Sequence, residues 1–583
     1  MRNRKLYLGL IFCMALVIIC LLDVRVQSKG VALGNVVAGN NDKPAEWQNI
    51  IATDINQEDI RLLVDGSEIT LNNQKLFMDQ QRNIFIPVSI LRDVFQCAVN
   101  SFSEDEITLQ KGNTVVSAES GKSNIMKNDE NVDTGSPFVY LDHVAYLNAK
   151  VMELGFDYSY LWDSSHNMLK LTNQKKVENM LPSVYSYRQV GRLSRVKNQG
   201  TYSTCWAFAS LSALETSVRP WQNLTFSPDN MALNNGYSVS QNEGGDYTRA
   251  IAYLTSWKGP VLEQDDPYGD GKYNPDAKAV KHVQEVQIIE SKNLEAIKKA
   301  VFLHGGVESS LYTSMSYTDE TSMFYNKKKN AYCYIGTKKP NHDVVIVGWD
   351  DNYSKDNFNA ELEGDGAFLC MNSWGSEFGD QGLFYVSYYD SNIGIHNVVY
   401  TGIEDTDNYD KIYQSDLCGW IGQMGYDSDS AFFSNVYKAE SNEELEAVGF
   451  YATDKNTSYE LYYVDNFTDE SSFEGKVLLQ TGTFDNSGYY TVKLNEPIAL
   501  TAGVRYAIVI KILTPDSVHP IAIEYRAGRA TQDVILDDGE GYISLTGKSW
   551  EHVEESKNCN ICLKMYTKIQ ENQQENLSVD NNS

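Results

Sequence analysis

The sequence predicts an α+β protein built from several domains. Its 583 residues exceed what one hydrophobic core usually serves and are enough for three domains. Apolar residues at helical spacing predict an amphipathic helix over 207–218, and a strand-like apolar run covers 342–349. From 412 to about 568, short β-rich runs alternate with Gly, Asp and Asn turns, a pattern typical of a β-sandwich.

The composition excludes one class of partner. The formal net charge is −29, from 49 basic and 78 acidic side chains. An acidic surface repels phosphate backbones, so we expect no nucleic-acid partner. The chain has 9 Cys, too few for a disulfide-dense scaffold of this length. The pair Cys559 and Cys562 forms a single CxxC with no second pair to complete a zinc site.

The N-terminus has the layout of a secretory signal. Basic residues precede an apolar run over 6–22, and small or permissive residues end the segment 1–28. The alternative is an uncleaved membrane anchor, but 17 residues are at the short limit for a spanning helix. The sequence therefore favours export with cleavage, to a secreted or cell-surface location without a lasting membrane anchor. Residues 29–57 are polar and predict a linker.

The centre of the chain carries a candidate nucleophile. Cys205 opens the predicted helix, directly after Ser203 and Thr204, which are residue types that cap helices. A thiol at a helix N-terminus gains thiolate character from the macrodipole and the free N–H groups. Gln199 could direct an amide donor toward the same point, which indicates acyl transfer. Alone, a Cys on a helix is more often a small buried hydrophobe.

Two later stretches favour catalysis. His342 leads the apolar strand-like run, and Asn372 precedes Ser373 and Trp374 ahead of another alternating strand. The chain order Cys, His, Asn with these surroundings is a specific combination.

With these residues, the region 181–404 resembles the papain family of cysteine proteases. The resemblance implies a two-lobed fold, with a helical lobe and a β-barrel lobe. It implies that Cys205 is the nucleophile, His342 the general base and acid, Asn372 the residue that orients the imidazole, and Gln199 an oxyanion donor. For substrate binding, the resemblance implies that Trp374 shields the His–Asn hydrogen bond and that substrate backbone lies along Gly244 and Gly245.

The sequence departs from the family near the nucleophile. The family usually has a second Cys three residues before the nucleophile, bridged to a Cys just before the glycine pair. Here Tyr202 occupies the first place and no Cys occupies the second. Ser203 and Thr204 stand where Gly and Ser are usual, which affects fine specificity rather than the chemistry.

The flanking regions resemble known modules. Residues 58–175 contain a repeated layout of strand, short helix and hairpin, similar to the copper amine oxidase N-terminal domain. His143 and His166 lack ligand spacing, so we expect no copper. The region precedes Leu181, where the mature family member would begin, and we hypothesise that 29–180 form a propiece, partly on the turn-rich run 124–136.

Residues 411–568 resemble the lectin-like domain that follows some bacterial papain-like proteases. This resemblance implies a cell-wall or surface carbohydrate partner, while a structural brace is the open alternative. The tail 569–583 is rich in Asn, Gln and Glu and predicts disorder.

We expect no required cofactor. The acidic loop 350–366 could hold calcium through carboxylates, but it lacks EF-hand spacing, so a solvated loop is favoured and any metal site stays unknown.

The sequence thus predicts an exported cysteine endopeptidase acting on proteins or peptides. Two alternatives stay open: a catalytically silent surface adhesin on the same fold, and a thiol acyltransferase that shares the first half-reaction. A metal hydrolase is disfavoured because the chain has no HExxH motif.

Overall fold

A computed structural model describes residues 60–570, with gaps at 72–73, 80, 142, 175–180, 317 and 537–539. The predicted signal peptide, the predicted linker and the tail beyond residue 570 lie outside the described residues. Within the described part, no helix combines the length and apolar character needed to cross a membrane.

The N-terminal region is built from short strands and short helices. Its strands are β1 (Arg61–Val64), β2 (Ser67–Ile69), β3 (Phe77–Met78), β4 (Ile84–Pro87), β5 (Ala98–Phe102), β6 (Glu106–Lys111), β7 (Thr114–Glu119), β8 (Asn124–Lys127), β9 (Glu130–Asp133), β10 (Phe138–Leu141), β11 (Val144–Asn148), β12 (Tyr158–Asp163) and β13 (Met168–Asn173). Its helices are α1 (Val88–Asp93) and α2 (Lys150–Phe156).

These strands form three sheets around one apolar core. Two sheets have the orders β12-β13-β1-β2 and β10-β11-β4-β3, and β5 to β9 form an antiparallel meander. The layout of strand, helix and hairpin occurs twice, first as β4, α1 and β5–β6 and then as β11, α2 and β12–β13. The run 124–136, expected to be turn-rich, mostly forms the β8–β9 hairpin of the meander, because Ile125 pairs with Val132 and is fully buried.

The central region divides into a helical half and a sheet half. Its helices are α3 (Tyr187–Val190), α4 (Cys205–Val218), α5 (Pro228–Leu233), α6 (Tyr247–Thr255) and α7 (Leu294–Leu303). Its strands are β14 (Val184–Ser186), β15 (His282–Ile288), β16 (Val307–Leu311), β17 (Tyr325–Asn326), β18 (Ala331–Tyr332), β19 (His342–Asp350), β20 (Ala367–Met371), β21 (Leu383–Ser387) and β22 (Asn397–Glu404).

Helix α4 lies at the junction of the two halves. Ala and Leu, which favour helices, recur along it, and almost all of its side chains are buried. It packs against β19 and β22 of the sheet and against α6 of the helical half. A buried helix of this kind holds its first residue, Cys205, in a fixed place against β19.

The C-terminal region is a two-layer β-sandwich. Its strands are β23 (Lys411–Tyr413), β24 (Gly422–Met424), β25 (Ser430–Lys438), β26 (Glu443–Ala452), β27 (Thr457–Val464), β28 (Val477–Phe484), β29 (Ser487–Leu500), β30 (Arg505–Leu513), β31 (Ile521–Tyr525), β32 (Gly541–Ser544), β33 (Glu551–His552), β34 (Cys559–Ile561) and β35 (Leu563–Ile569), with one helix α8 (Val553–Lys557). One layer is the sheet β28-β27-β30-β25-β32-β33, and an apolar core separates it from the layer that contains β26, β29 and β35.

The sandwich shares a sheet with the central region. Strand β15 pairs with β22 on one side and with β29 on the other, so a single sheet runs β17-β18-β21-β20-β19-β16-β22-β15-β29-β26-β35-β23. Tyr451, Tyr489 and Cys562 of the sandwich belong to the same apolar core as α4. The two regions are therefore joined by a continuous sheet and a shared apolar core.

The N-terminal region also packs on the central region. The Tyr185 hydroxyl donates to the Asn100 side-chain oxygen at 2.9 Å, and both residues are buried. The rings of Phe102 and Trp221 lie 4.6 Å apart. The contact surface thus includes β5 of the N-terminal region and, in the central region, Tyr185, Trp221 and α7.

Candidate active site

Cys205 is the first residue of α4 and is half-buried. Its sulfur accepts hydrogen bonds from the backbone N–H groups of Trp206 and Asp343. The first belongs to the helix N-terminus and the second to the residue that follows His342 on β19. The structure therefore brings the candidate nucleophile against the strand that carries the candidate base.

Thr204 occupies the N-cap position, as expected from its residue type, but its side chain caps nothing. Its hydroxyl instead bonds to the Tyr268 hydroxyl at 2.8 Å, which in turn donates to the Gln199 carbonyl at 2.9 Å. The Tyr268 ring packs on Phe208 with centroids 4.7 Å apart. Tyr268 therefore ties the loop that carries Gln199 to the start of α4.

His342 is held on its other side by Asn372 and Trp374. Its Nε2 lies 2.8 Å from the Asn372 side-chain oxygen, which also accepts the Ser373 backbone N–H at 2.8 Å. The Trp374 indole stacks on the imidazole with centroids 4.8 Å apart. Because all three residues are buried, this hydrogen bond is protected from water and fixes the ring orientation.

Gln199 is buried and its amide is oriented at both ends. Its Nε2 donates to the Tyr202 carbonyl at 2.8 Å, and its Oε1 accepts from the Ser373 hydroxyl at 2.6 Å. An amide nitrogen has two hydrogens, so one remains for a ligand. Ser373 was not among the sequence candidates, although its position directly after Asn372 was a signal that could have found it.

The two glycines of the expected substrate strip have different surroundings. Gly244 has φ +71°, and a Cβ there would meet no atom within 4 Å, so it borders open space. A Cβ on Gly245 would lie 2.4 Å from the Trp206 indole, so that position accepts only glycine. The strip therefore packs on the residue next to the nucleophile and leaves its outer side accessible.

Near the nucleophile, where the family usually has a disulfide, this chain has hydrogen bonds and ring contacts. The Ser203 backbone N–H donates to the Gln241 carbonyl at 3.1 Å, which joins the nucleophile loop to the turn before the glycines. The Tyr202 ring meets the Tyr268 ring edge-on at 6.3 Å. All seven Cys of the described part are free thiols, among them Cys559 and Cys562.

Burial dominates the electrostatics of the pair. It raises the pKa of the Cys205 thiol to about 12, and the Asp343 and Glu308 carboxyls add to the increase. It lowers the pKa of His342 to about 4, although the bond to Asn372 favours the charged ring. The backbone N–H of Trp206 at the helix N-terminus lowers the thiol pKa, as the sequence predicts, while burial acts in the opposite direction and is the larger effect. Moving the proton from sulfur to imidazole creates both charges together, which a buried site tolerates far better than one alone.

Two carboxyls beside the site were missed by the sequence interpretation. Glu308 and Asp343 lie on neighbouring strands and accept from the Ser210 and Ser310 hydroxyls, each at 2.7 Å. Burial raises the pKa of Asp343 to about 6 and that of Glu308 well above its ordinary value. No local sequence pattern marks either residue, because they meet only through strand pairing.

In the described part of the chain, no three His, Cys, Asp or Glu side chains are grouped to hold an ion. In the acidic loop, Asp365 accepts the Lys355 backbone N–H at 2.9 Å instead.

Replacing Asp343 by Asn should speed alkylation of Cys205 by iodoacetamide about fivefold near pH 7.5, because the Asp343 charge raises the thiol pKa and its removal lowers that pKa. The gain should vanish below about pH 6, where Asp343 in the unchanged chain is itself protonated. Mass spectrometry of the Cys205 peptide measures the rate. Asp356→Asn, an exposed site, is the matched control. Equal alkylation rates for the unchanged chain and Asp343→Asn near pH 7.5 would contradict the conclusion that the Asp343 charge raises the pKa of the Cys205 thiol.

Comparison with known proteins places each region. A model of the papain family cysteine protease matches residues 181–403. A model of the copper amine oxidase N-terminal domain matches residues 63–171, and a model of the lectin-like domain matches residues 412–567.

Pro-cathepsin H of Bos taurus is 28% identical over 238 residues, 39% of this chain and 66% of the relative. Cathepsin K of Gallus gallus is 30% identical over 210 residues, 34% of this chain and 57% of the relative. The chain thus spans about two thirds or less of the length of these two relatives.

Solved structures match over a longer stretch. The clostridial cysteine protease Cwp84 after propeptide cleavage superposes with a TM-score of 0.59 at 28% identity, covering 66% of this chain and 99% of that chain. The cysteine protease and lectin-like domains of Cwp84, a surface layer associated protein of Clostridium difficile, superpose with a TM-score of 0.58 at 28% identity, covering 68% of this chain and 90% of that chain. These matches are longer than the protease region alone, and the second structure comprises a protease and a lectin-like domain. The chain therefore carries a papain-family cysteine protease domain, between a copper amine oxidase N-terminal-like domain and a lectin-like domain.

Proposed function

We propose that the chain is an exported cysteine endopeptidase that cleaves peptide bonds through Cys205, His342 and Asn372. The observation that carries the proposal is the set of contacts between Asn372, His342 and Trp374 next to the Cys205 sulfur. The nucleophile, the base and the group that orients the base are arranged as acyl transfer requires.

In the first half-reaction the Cys205 sulfur attacks the scissile carbonyl carbon and its proton passes to His342. Because Asn372 holds Nε2, the free Nδ1 takes the proton. The carbonyl oxygen becomes an oxyanion, which accepts from the second Gln199 amide hydrogen and from the Cys205 backbone N–H. His342 then gives the proton to the departing amine, and the acyl group remains on sulfur as a thioester.

The second half-reaction reverses these roles. His342 takes a proton from water, the oxygen attacks the thioester carbonyl, and the thiol leaves with the proton returned to sulfur. An acyltransferase would differ only in using an amine instead of water, so the nature of the acceptor separates the two activities.

The substrate backbone is proposed to lie along Gly244 and Gly245. Gly244 borders open space, and Arg249 donates to its carbonyl at 2.6 Å, which fixes the local backbone. Protein or peptide substrates follow from this strip, since a backbone can approach glycine closely.

Two further proposals concern location and partner. The basic and apolar N-terminal segment supports export, and the similarity to a surface layer associated protein supports a secreted or cell-surface location. The lectin-like domain supports contact with a cell-wall or surface carbohydrate.

Replacing Gln199 by Ala should lower kcat on a fluorogenic peptide about 100-fold, because one oxyanion donor is lost. Cys205→Ala and His342→Ala should remove cleavage of the peptide and of casein. Gln222→Ala, an exposed glutamine of the same domain, is the control and should keep full activity. Residual casein cleavage by Cys205→Ala at the unchanged rate would overturn the proposal. Transfer to an added amine in preference to water would show an acyltransferase.

The N-terminal region is proposed to act as a propiece. It precedes Leu181 and docks through Tyr185, which lies close to that point, and through Trp221, which follows α4. A chain beginning at Leu181 should therefore be more active on casein than one beginning at Lys29, and the longer chain should cut itself near Leu181.

After that cut the two pieces should still elute together on gel filtration, because docking does not depend on the peptide link. Cys205→Ala, which should not cut itself, is the control. If the shorter chain proved no more active than the longer one, the propiece proposal would fail.

A further inference from the structure

The segment 236–243 leads into the glycine strip, defined as Gly244 and Gly245, and it contacts the lectin-like domain along its length. The Cys418 thiol donates to the Gly236 carbonyl at 3.3 Å, and the Tyr237 hydroxyl donates to the Cys418 carbonyl at 2.7 Å. The start of the segment is therefore fixed by the first turns of the lectin-like domain.

A second set of contacts lies nearer to the strip. The Ser238 backbone N–H donates to the Ala530 carbonyl at 2.9 Å, and its hydroxyl donates to Asp533. The Arg529 guanidinium lies 3.3 Å from the Glu243 carboxylate, directly before Gly244. These partners belong to the loop 526–535, defined here as the Arg529 loop.

The Arg529 loop is itself braced. The Ala527 N–H donates to the Thr531 hydroxyl at 2.8 Å, and the Arg526 side chain donates to the Val534 carbonyl at 2.9 Å. The buried Asn560 amide, on β34, donates to the Ile535 carbonyl at 2.8 Å. A loop held in this way is a rigid support for whatever it contacts.

On the protease side the segment continues to the nucleophile. Glu243 closes a capping box with Ser240, and the intervening Gln241 carbonyl accepts the Ser203 N–H. Ser203 lies two residues before Cys205 and directly after Tyr202, which occupies the place where the family resemblance leads one to expect a bridging Cys. Because a hydrogen bond instead of a disulfide joins the segment 236–243 to the loop before Cys205, contact with the lectin-like domain helps to hold the segment in place.

We propose that the lectin-like domain forms part of the substrate cleft, with Arg529 and Ser238 as positioning residues that hold the glycine strip for the substrate residues upstream of the cut. This inference rests on the proposed function, since it assumes that peptides bind along the strip. It predicts that the domain contributes to peptide cleavage itself, apart from any carbohydrate contact.

The effect of each contact depends on substrate length. Arg529 is 74% exposed and Glu243 35%, so their ion pair is screened and its loss should be modest. Peptides with four residues before the cut should lose about threefold in kcat/KM with Arg529→Ala, and about tenfold with Arg529→Ala and Ser238→Ala together. Most of the loss should appear in KM, because the strip binds substrate and does not react.

The experiment compares peptides with one and with four residues before the cut, in the full-length chain. Arg529→Ala and the double variant should lose rate on the longer peptide alone, while Arg529→Lys should recover most of it. In a double-mutant cycle, Glu243→Gln should add little to Arg529→Ala. Lys438→Ala, an exposed cation elsewhere in the lectin-like domain, is the matched control.

Equal losses on short and long peptides, or no loss on either, would overturn the inference while leaving the peptidase intact. A full-length chain that cleaves neither peptide, even after removal of the residues before Leu181, would instead overturn the proposed function and the inference with it. Iodoacetamide labelling of Cys205 at the unchanged rate in every variant is expected, since the substitutions leave the nucleophile in place.

Discussion

The site depends on the packing of α4 against β19. Cys205 belongs to a helix and His342 to a strand far away in the sequence, and only this interface brings them together. The Asp343 N–H bonded to the Cys205 sulfur is one of the contacts between the two elements. Because α4 is buried along nearly its whole length, its N-terminus cannot shift without disturbing the core. The packing of the helix therefore holds Cys205 in place.

The same interface explains the electrostatics. Close packing excludes water from the imidazole, and this opposes a lone charge on either member of the pair. Proton transfer within the pair avoids a net charge, so reactivity depends on keeping sulfur and imidazole together. The hydrogen bond to Asn372 and the cover of Trp374 keep the ring in the orientation that this transfer needs.

A second constraint is the sheet that passes from the protease into the lectin-like domain. Pairing of β15 with β29 leaves no hinge between them, and the Arg529 loop then lies beside the entry to the glycine strip. Separating the protease from the sandwich would expose a sheet edge and part of the core that contains α4. We therefore interpret the lectin-like domain as a component of the enzyme rather than an attached binding module.

The parts of the site that are determined by residues close together in the chain could be predicted from the sequence. The helix after Cys205 and the strand after His342 each follow from a few neighbouring residues, whereas the glycine pair was located through the family resemblance. Tyr268 could not be found in this way, since its partner Gln199 is 69 residues distant and an isolated Tyr carries no signal. Glu308 was missed for a similar reason, and the contribution of burial to the thiol pKa could not be predicted because burial cannot be seen in sequence.

The most direct test of the central claim is covalent labelling of the full-length chain, under reducing conditions, with an epoxide that alkylates papain-like thiolates. We expect mass spectrometry to locate the label on Cys205 alone among the seven thiols of the described part, with loss of labelling in His342→Ala. The other six are all buried, so they serve as internal controls. Labelling spread over several thiols, or unchanged at Cys205 in His342→Ala, would contradict the account of an activated Cys205–His342 pair.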